Sequence, residues 1–363
     1  MGLPQKFLLP LFVLLFSFEA NADNTAHQID KLVEQYADHK VFSGAILVSR
    51  GGDVIYQKGH GLANREWSIA NAPDTKFVIA SVTKTFTAAL TLKLIEQKKL
   101  SLDETIDQYL PNFPKDKAKQ ITVGHLLGHR AGFPRWFSVP GWSEGKFNAH
   151  IDKNETLRVI GEQTLMFPPG ERYSYTNMDY FLLGIIIETV TKLPFEEALK
   201  KEILKPLNMH NTGTASHTAV LDKRASGYRI NETGGYSHPK YTNLDVFGAG
   251  AAMYSTVQDL FRWEHSFYSN TVLSEESKMR LFEPKNHYGW YVGPLPLNSE
   301  KVSPKVHNVD GELPGFGAFI TRFIDQQHSI IILSNNAMNN AEKFRMTQDI
   351  AEVLYKTGHT RKK

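Results

Sequence analysis

The octapeptide Phe77-Val78-Ile79-Ala80-Ser81-Val82-Thr83-Lys84 leads into a helix-compatible run over residues 81–99, in which Val82, Phe86, Leu90 and Leu94 recur at successive i+4 steps. On a helix, positions three apart share a face with Cβ atoms about 5–6 Å apart, so the Lys84 amine can reach the Ser81 hydroxyl. A serine hydroxyl is a weak nucleophile without a base beside it. Lysine serves as that base when desolvation and the positive end of a helix disfavour its ammonium form. Two further Ser-x-x-Lys tetrapeptides occur, Ser143-Glu144-Gly145-Lys146 and Ser237-His238-Pro239-Lys240. A loop glycine in the first and a proline at the third position of the second keep both from presenting their pair on one helical face.

Outward from this helix, strand signals lie on both sides. Ala45-Ile46-Leu47-Val48 and Val54-Ile55-Tyr56 flank Arg50-Gly51-Gly52-Asp53, which is hairpin chemistry, and Ile29, Leu32, Val33 and Tyr36 before them fall at helical spacing. Near the other end residues 316–324 and 329–333 flank Asp325-Gln326-Gln327, a second hairpin, followed by a closing helix over 341–355. Residues 122–127, 178–191 and 194–204 read as helices, the last with Pro194 in its first turn. Residues 130–146 and 227–250 read as long surface loops of the kind that carry binding function. Strands at both ends around a helical middle predict an α/β unit built from both chain ends: an antiparallel sheet flanked by N- and C-terminal helices, with a mainly helical part at roughly 85–245 inserted.

At 363 residues and 41% hydrophobic content the chain can bury a core of this size. Lys and Arg number 41 against 38 Asp and Glu, and the net charge of +3 is too small for a nucleic-acid footprint. Part of that excess is the basic end Arg361-Lys362-Lys363, which reads as a solvated tail. With no cysteine, disulfides, thiolate nucleophiles and Cys-rich metal sites are excluded. At the N-terminus Lys6, the apolar run over residues 7–18 and Ala20-Asn21-Ala22 form a signal-peptide pattern. Residues 1–22 are therefore expected to be cleaved, leaving residues 23–363 as a periplasmic or secreted protein without a membrane span.

Tyr-x-Asn is the second chemical candidate, at Tyr175-Thr176-Asn177, Tyr241-Thr242-Asn243 and Tyr268-Ser269-Asn270. A phenol near a cationic amine can ionise and accept a proton, and an Asn amide can orient both the lysine and a substrate carbonyl. Spacing alone does not choose among the three. Tyr175 follows the turn Pro168-Pro169-Gly170 just before a helix and is the best placed to sit rigidly.

These residues resemble, in order and over nearly all of residues 23–363, the class C β-lactamase family in its broad sense. That family also includes penicillin-binding proteins, D-alanyl-D-alanine carboxypeptidases, D-aminopeptidases and serine esterases. The octapeptide at 77–84 resembles its nucleophile motif. Ile121-Thr122-Val123 and His125-Leu126-Leu127-Gly128-His129-Arg130-Ala131-Gly132 resemble the helix and loop that follow. Pro169-Gly170 through Tyr175-Thr176-Asn177 to Leu182-Leu183-Gly184 resembles its second motif, and Gly248-Ala249-Gly250 with Ser255-Thr256 the approach to the closing strands. Asn208 stands where the family usually has Gly in Pro206-Leu207-Asn208-Met209. The resemblance implies an α/β sandwich with the active site at the junction of sheet and helices. It makes Ser81 the nucleophile, gives the proton to Lys84 and Tyr175, gives the substrate to Asn177, and requires neither metal nor cofactor.

The family's third motif is Lys-Thr-Gly or His-x-Gly on the strand beside the nucleophile. Lys356-Thr357-Gly358 comes too late in the chain to form that strand, and Gly358 reads as a helix C-cap. Counting back from Gly315-Phe316 places the motif on Val309-Asp310-Gly311, with the backbone N–H of Glu312 as oxyanion donor beside that of Ser81. The cationic position is then Val309, with acidic neighbours Asp310 and Glu312. His307 and Arg322 are the nearby groups able to replace the missing cation.

His125 and His129 stand at i and i+4, as zinc ligands do, with no third ligand evident. Trp136, Phe137 and Trp142 are candidates to line an acyl pocket or to pack over helices. The leading reading is a serine hydrolase that cleaves an ester or peptide-like amide bond of a small-molecule or peptide-like substrate through an acyl-enzyme. Alternatives are a D-peptidase or weak β-lactamase of the same family, a binding protein that retains the fold, and a His-based metal hydrolase.

Overall fold

Continuous apolar runs such as Ala45 to Val48 and Ile330 to Leu333 give one sheet two buried faces. The computed structural model describes residues 10–140, 145, 151–216, 219–297 and 302–358. Its main sheet contains β1 (Gly44–Arg50), β2 (Asp53–His60), β3 (Tyr291–Pro294), β4 (Lys305–Leu313), β5 (Phe316–Phe323) and β6 (His328–Ser334). The order is β3-β4-β5-β6-β1-β2, with every neighbouring pair antiparallel. Ile46 lies opposite Ile332, and Val309 opposite Ile320. The chain therefore closes its sheet by placing a strand from near its end beside its first strand.

Successive side chains of a strand point to opposite faces. Ile46, Val48, Phe319, Phe323, Ile330 and Ile332 accordingly pack on Ile29 and Val33 of α1 (Pro10–Asp38) and on Met346, Ile350 and Leu354 of the closing helix (Asn340–Gly358). Ala45, Leu47, Ala318, Ile320, Ile331 and Leu333 face the other way, into a core with Phe77, Ile79, Phe86 and Trp263. That second core is shared with α2 (Thr83–Glu96), α3 (Asn177–Thr191) and α4 (Val257–His265). The closing helix is α5. The fold is thus α/β, an antiparallel sheet with the terminal helices on one face and a helical layer on the other.

Several local expectations change. The helix at 81–99 begins as a 3₁₀ turn over Ala80–Val82, and α-helical geometry starts at Thr83. Phe77 and Val78 pair with Ser255 and Tyr254, and Ile79 N–H donates to the Met253 carbonyl. The chain must then reverse at once into the helix, and Ala80 does so at φ 47°, in the left-handed region. Pro194 is the N-cap of Phe195–Leu199 rather than a first-turn residue, and that helix widens into a π-helical turn over Lys200–Leu204. The two long loops are not wholly superficial: Trp136, Leu244, Val246 and Phe247 are buried. Asn208 adopts φ 54°, which explains how Asn serves where the family has Gly. α5 runs on to Gly358, so Lys356-Thr357-Gly358 forms its last turn instead of following it. Trp142, the tetrapeptide partners Ser143 and Lys146, and the tail 361–363 lie outside the described residues.

Candidate active site

The Ser81 turn, the N-terminus of α3, the Gly248–Gly250 turn and strand β4 converge on one cleft of ≈ 790 Å³. Ser81 Oγ lies 2.7 Å from the Tyr175 hydroxyl, and Lys84 Nζ is 3.3 Å from Ser81 Oγ. Lys84 also donates to Asn177 Oδ1 at 2.5 Å and to the Gly250 carbonyl at 2.7 Å. Asn177 opens α3, whose N-cap Thr176 accepts from Met178 N–H, so the cap fixes Asn177 at the mouth of the helix. Ser81, Lys84, Tyr175 and Asn177 are therefore brought together as the spacing and the resemblance expect.

The decoys fall elsewhere. Tyr241 is exposed on its loop. Tyr268 packs under the Arg322 guanidinium, 4.8 Å from its ring centroid. Ser237 sits on an exposed two-residue strand, Tyr236–Ser237.

Burial sets the protonation of the site. Lys84 is 1% exposed, and desolvation pushes its pKa down to about 7, with the nearby Asp179 opposing. Tyr175 moves the other way: burial raises its pKa, and the hydrogen bond with Ser81 only partly offsets this. Burial thus favours the neutral phenol over the phenolate that the sequence leaves open. Asp179 is fully buried, its pKa raised by desolvation against the pull of Lys84, and its Oδ2 lies 3.0 Å from His129 Nδ1. The His129 ring packs 4.6 Å from that of Tyr175, behind the catalytic cluster. Sequence reasoning passed over Asp179 because an acid in the first turn of a helix reads as ordinary complement to the helix dipole.

His125 and His129 do not form a metal pair. His125 completes a capping box with Thr122, its Nδ1 accepting from Thr122 N–H, while His129 turns toward Asp179. Among the described residues no cluster of three or more metal-ligating side chains exists.

β4 lies against the Ser81 turn at Gly311. A Cβ there would stand 2.3 Å from the Ile79 carbonyl oxygen and 3.2 Å from Ser81 N, so only glycine permits the approach. This places Val309-Asp310-Gly311 at the expected strand. Val309 is buried against the second core yet borders the cleft, and Asp310 and Glu312 also line it. His307 and Arg322 do not replace the absent cation. His307 stacks on Phe282 at 4.1 Å, with a pKa pushed down to about 3 by desolvation and by Arg322. Arg322 is itself buried, bonded to Glu264 at 3.2 Å. Neither lines the cleft. A different cation reaches the motif: Lys343 of α5, fully buried, lies 2.5 Å from Asp310 Oδ1 and donates to the Gly311 carbonyl at 3.1 Å. Phe137, Tyr173, Tyr291 and Phe344 give the cleft aromatic walls, and Trp136 lies buried at its base.

Known proteins share the fold and the family. The family model described as Beta-lactamase matches residues 29–355. Penicillin-binding protein 4* of Bacillus subtilis (strain 168) is 27% identical over 92% of this chain and 76% of its own. Among solved structures, a penicillin binding protein from Bacillus halodurans superposes with TM-score 0.75 at 24% identity, covering 89% of this chain and 98% of that one. A D-amino acid amidase from Ochrobactrum anthropi SV3, complexed with D-phenylalanine, superposes with TM-score 0.77 at 20% identity over 94% of this chain and 100% of its own.

Proposed function

The chain belongs to the beta-lactamase family of serine hydrolases, and from that premise we propose that it is an exported enzyme that cleaves an ester or peptide-like amide through an acyl-enzyme on Ser81. The observation that carries the reading is the set of partners around the Lys84 amine. A neutral amine has two N–H groups and one lone pair. Asn177 Oδ1 and the Gly250 carbonyl take the two N–H groups, so the lone pair falls to the third neighbour, the Ser81 hydroxyl at 3.3 Å. With its pKa near 7, a large share of Lys84 is in that neutral form at physiological pH.

In the proposed cycle Ser81 Oγ attacks the substrate carbonyl carbon and its proton passes to Lys84. The oxyanion is met by the backbone N–H groups of Ser81 and Glu312. As the carbon–leaving-group bond breaks, the proton returns to the leaving oxygen or nitrogen through the neutral Tyr175 hydroxyl. Water then repeats the sequence on the acyl-enzyme, releasing the acid and restoring Ser81. Asn177 holds Lys84 through Oδ1 and offers its NH₂ to the substrate carbonyl. Neither metal nor organic cofactor enters these steps.

Substrate choice follows from the cleft walls. An apolar Val309 offers no charge-assisted bond to a substrate carboxylate, and the aromatic walls suit an apolar acyl group. The Glu312 carboxylate favours a neutral substrate or one with a free amine over an anion. Export rests on the pattern of residues 1–22, with cleavage after Ala22 leaving residues 23–363 as one hydrolase unit whose helical part spans roughly 85–245. No helix among the described residues is long and apolar enough to cross a membrane.

Labelling with a fluorophosphonate and peptide mapping test the assignment. The expected label is on Ser81 and is absent from Ser81→Ala. A label on Ser143 or Ser237, or none on folded protein, overturns it.

A further inference from the structure

Burying an ammonium group is unfavourable by several kcal/mol unless it is paired and hydrogen-bonded. Lys343 is 0% exposed and finds both conditions on one strand, an ion pair with Asp310 and a bond to the Gly311 carbonyl. On its way it passes Gly317 of β5, which lies opposite Glu312. A Cβ on Gly317 would meet the Met338 carbonyl oxygen at 2.9 Å and would only touch Lys343, at 3.4 Å from Cδ and 3.6 Å from Nζ. The side chain thus runs over β5 to reach the third-motif strand from α5.

The bond has a directional consequence. A trans peptide is planar, so its C=O and N–H point to opposite sides. The carbonyl that accepts from Lys343 and the N–H of Glu312 belong to the same peptide. Lys343 does not border the cleft, although Asn340, Ala341 and Phe344 of the same helix do, and Glu312 borders it together with Ser81. Holding the carbonyl on the Lys343 amine therefore turns the Glu312 N–H away from that amine, on the strand segment whose Gly311 lies against Ser81 N.

We infer that Lys343 is a positioning residue of the active site: it fixes the Gly311–Glu312 peptide so that the Glu312 N–H serves as an oxyanion donor. The inference rests on the proposed acyl-enzyme chemistry at Ser81. It assigns to a helix outside the three motifs the work of orienting the third one. It also explains Asp310, whose charge secures the ammonium that orients its neighbour's carbonyl.

The test separates positioning from mere anchoring of α5. Lys343→Met removes the donor. The double variant Asp310→Asn/Lys343→Met removes the buried pair as a near-neutral unit and so guards against a folding defect. Both are assayed for kcat and KM on a p-nitrophenyl ester, and for affinity toward phenylboronic acid, whose tetrahedral adduct on serine places an oxygen in the oxyanion site. Each variant is expected to lose about 10- to 100-fold in kcat with KM within about threefold, and to bind the boronic acid more weakly by a similar factor. A folded double variant with kcat and boronic acid affinity within about threefold of the parent overturns the inference. So does a loss in kcat with unchanged boronic acid affinity. Failure of the underlying chemistry shows differently: the parent protein itself then takes no label at Ser81.

Discussion

Replacing Gly311 with alanine probes the junction of strand and nucleophile most directly. The added Cβ would stand 2.3 Å from the Ile79 carbonyl oxygen. An ordinary carbon–oxygen contact needs about 3.3 Å, so strand and turn must part by about 1 Å. The displaced atoms are the ones the mechanism uses, because Ser81 N lies 3.2 Å from the same Cβ and Glu312 follows it in the chain. A misplacement of about 1 Å can lower the rate about 10²-fold, or about 2.7 kcal/mol of transition-state stabilisation. The assay is kcat/KM for a p-nitrophenyl ester, with circular dichroism and a thermal melt to confirm the fold. Gly293→Ala on β3 is the control, since a Cβ there meets nothing within 4 Å and activity should be unchanged. If folded Gly311→Ala retains activity within about threefold of the parent, the strand does not supply the oxyanion donor and the site must be redrawn.

Lys84→Ala and Tyr175→Phe should each lower kcat by about 10²-fold or more, whereas Tyr241→Phe and Tyr268→Phe should do little; parity between either control and Tyr175→Phe refutes the choice of motif. The pH profile of kcat/KM should rise through about pH 7, because the lowered Lys84 pKa leaves the amine protonated below that point and free to act as base above it. A profile flat from pH 5 to 9 removes Lys84 from the role of base. Turnover of a short neutral ester should exceed that of nitrocefin and of an acyl-D-Ala-D-Ala peptide, with Val309→His narrowing the gap. Efficient nitrocefin hydrolysis by the parent protein contradicts the substrate reading.

The sheet was legible because its strands are short apolar runs that flank turn residues, as at Ala45 to Val48 before Arg50-Gly51-Gly52-Asp53, and that run is apolar throughout because its residues divide between two cores. Hairpins at both ends indicated one unit built from both, but the pairing of the first strand with the last is seen only in the structure. Ser81, Lys84, Tyr175 and Asn177 were legible because short-range spacing fixes two of them on one turn and the family's motifs order the rest. The turn at Ala80 was not, since a left-handed alanine leaves no compositional mark and is imposed by the pairing of Phe77 and Val78 with Met253–Ser255. Nor was the state of Tyr175, which depends on burial by residues distant in sequence. Lys343 was hidden for the same reason. It is one lysine among many, and only tertiary structure separates a buried ammonium from a solvated one.

That hidden lysine changes the electrostatics of the substrate site. Read along the strand alone, Asp310 and Glu312 stand on either side of Gly311 as two like charges, and both argue against an anionic substrate. In the fold Asp310 is 2.5 Å from a buried ammonium, so the pair is close to neutral when seen from the cleft. Glu312 has no ion-pair partner among the described residues, and Arg135 stands in the same cleft with the opposite sign. The case against a carboxylate substrate thus rests less on repulsion than on what Val309 lacks. A charge-assisted hydrogen bond to a carboxylate is worth about 1.5–3 kcal/mol, and an isopropyl group cannot supply it. A histidine at position 309 should therefore raise activity on carboxylate-bearing substrates even with Glu312 in place. Removing the Glu312 charge alone should have the smaller effect, because at the edge of a solvent-filled cleft screening reduces repulsion far more than it reduces a direct bond.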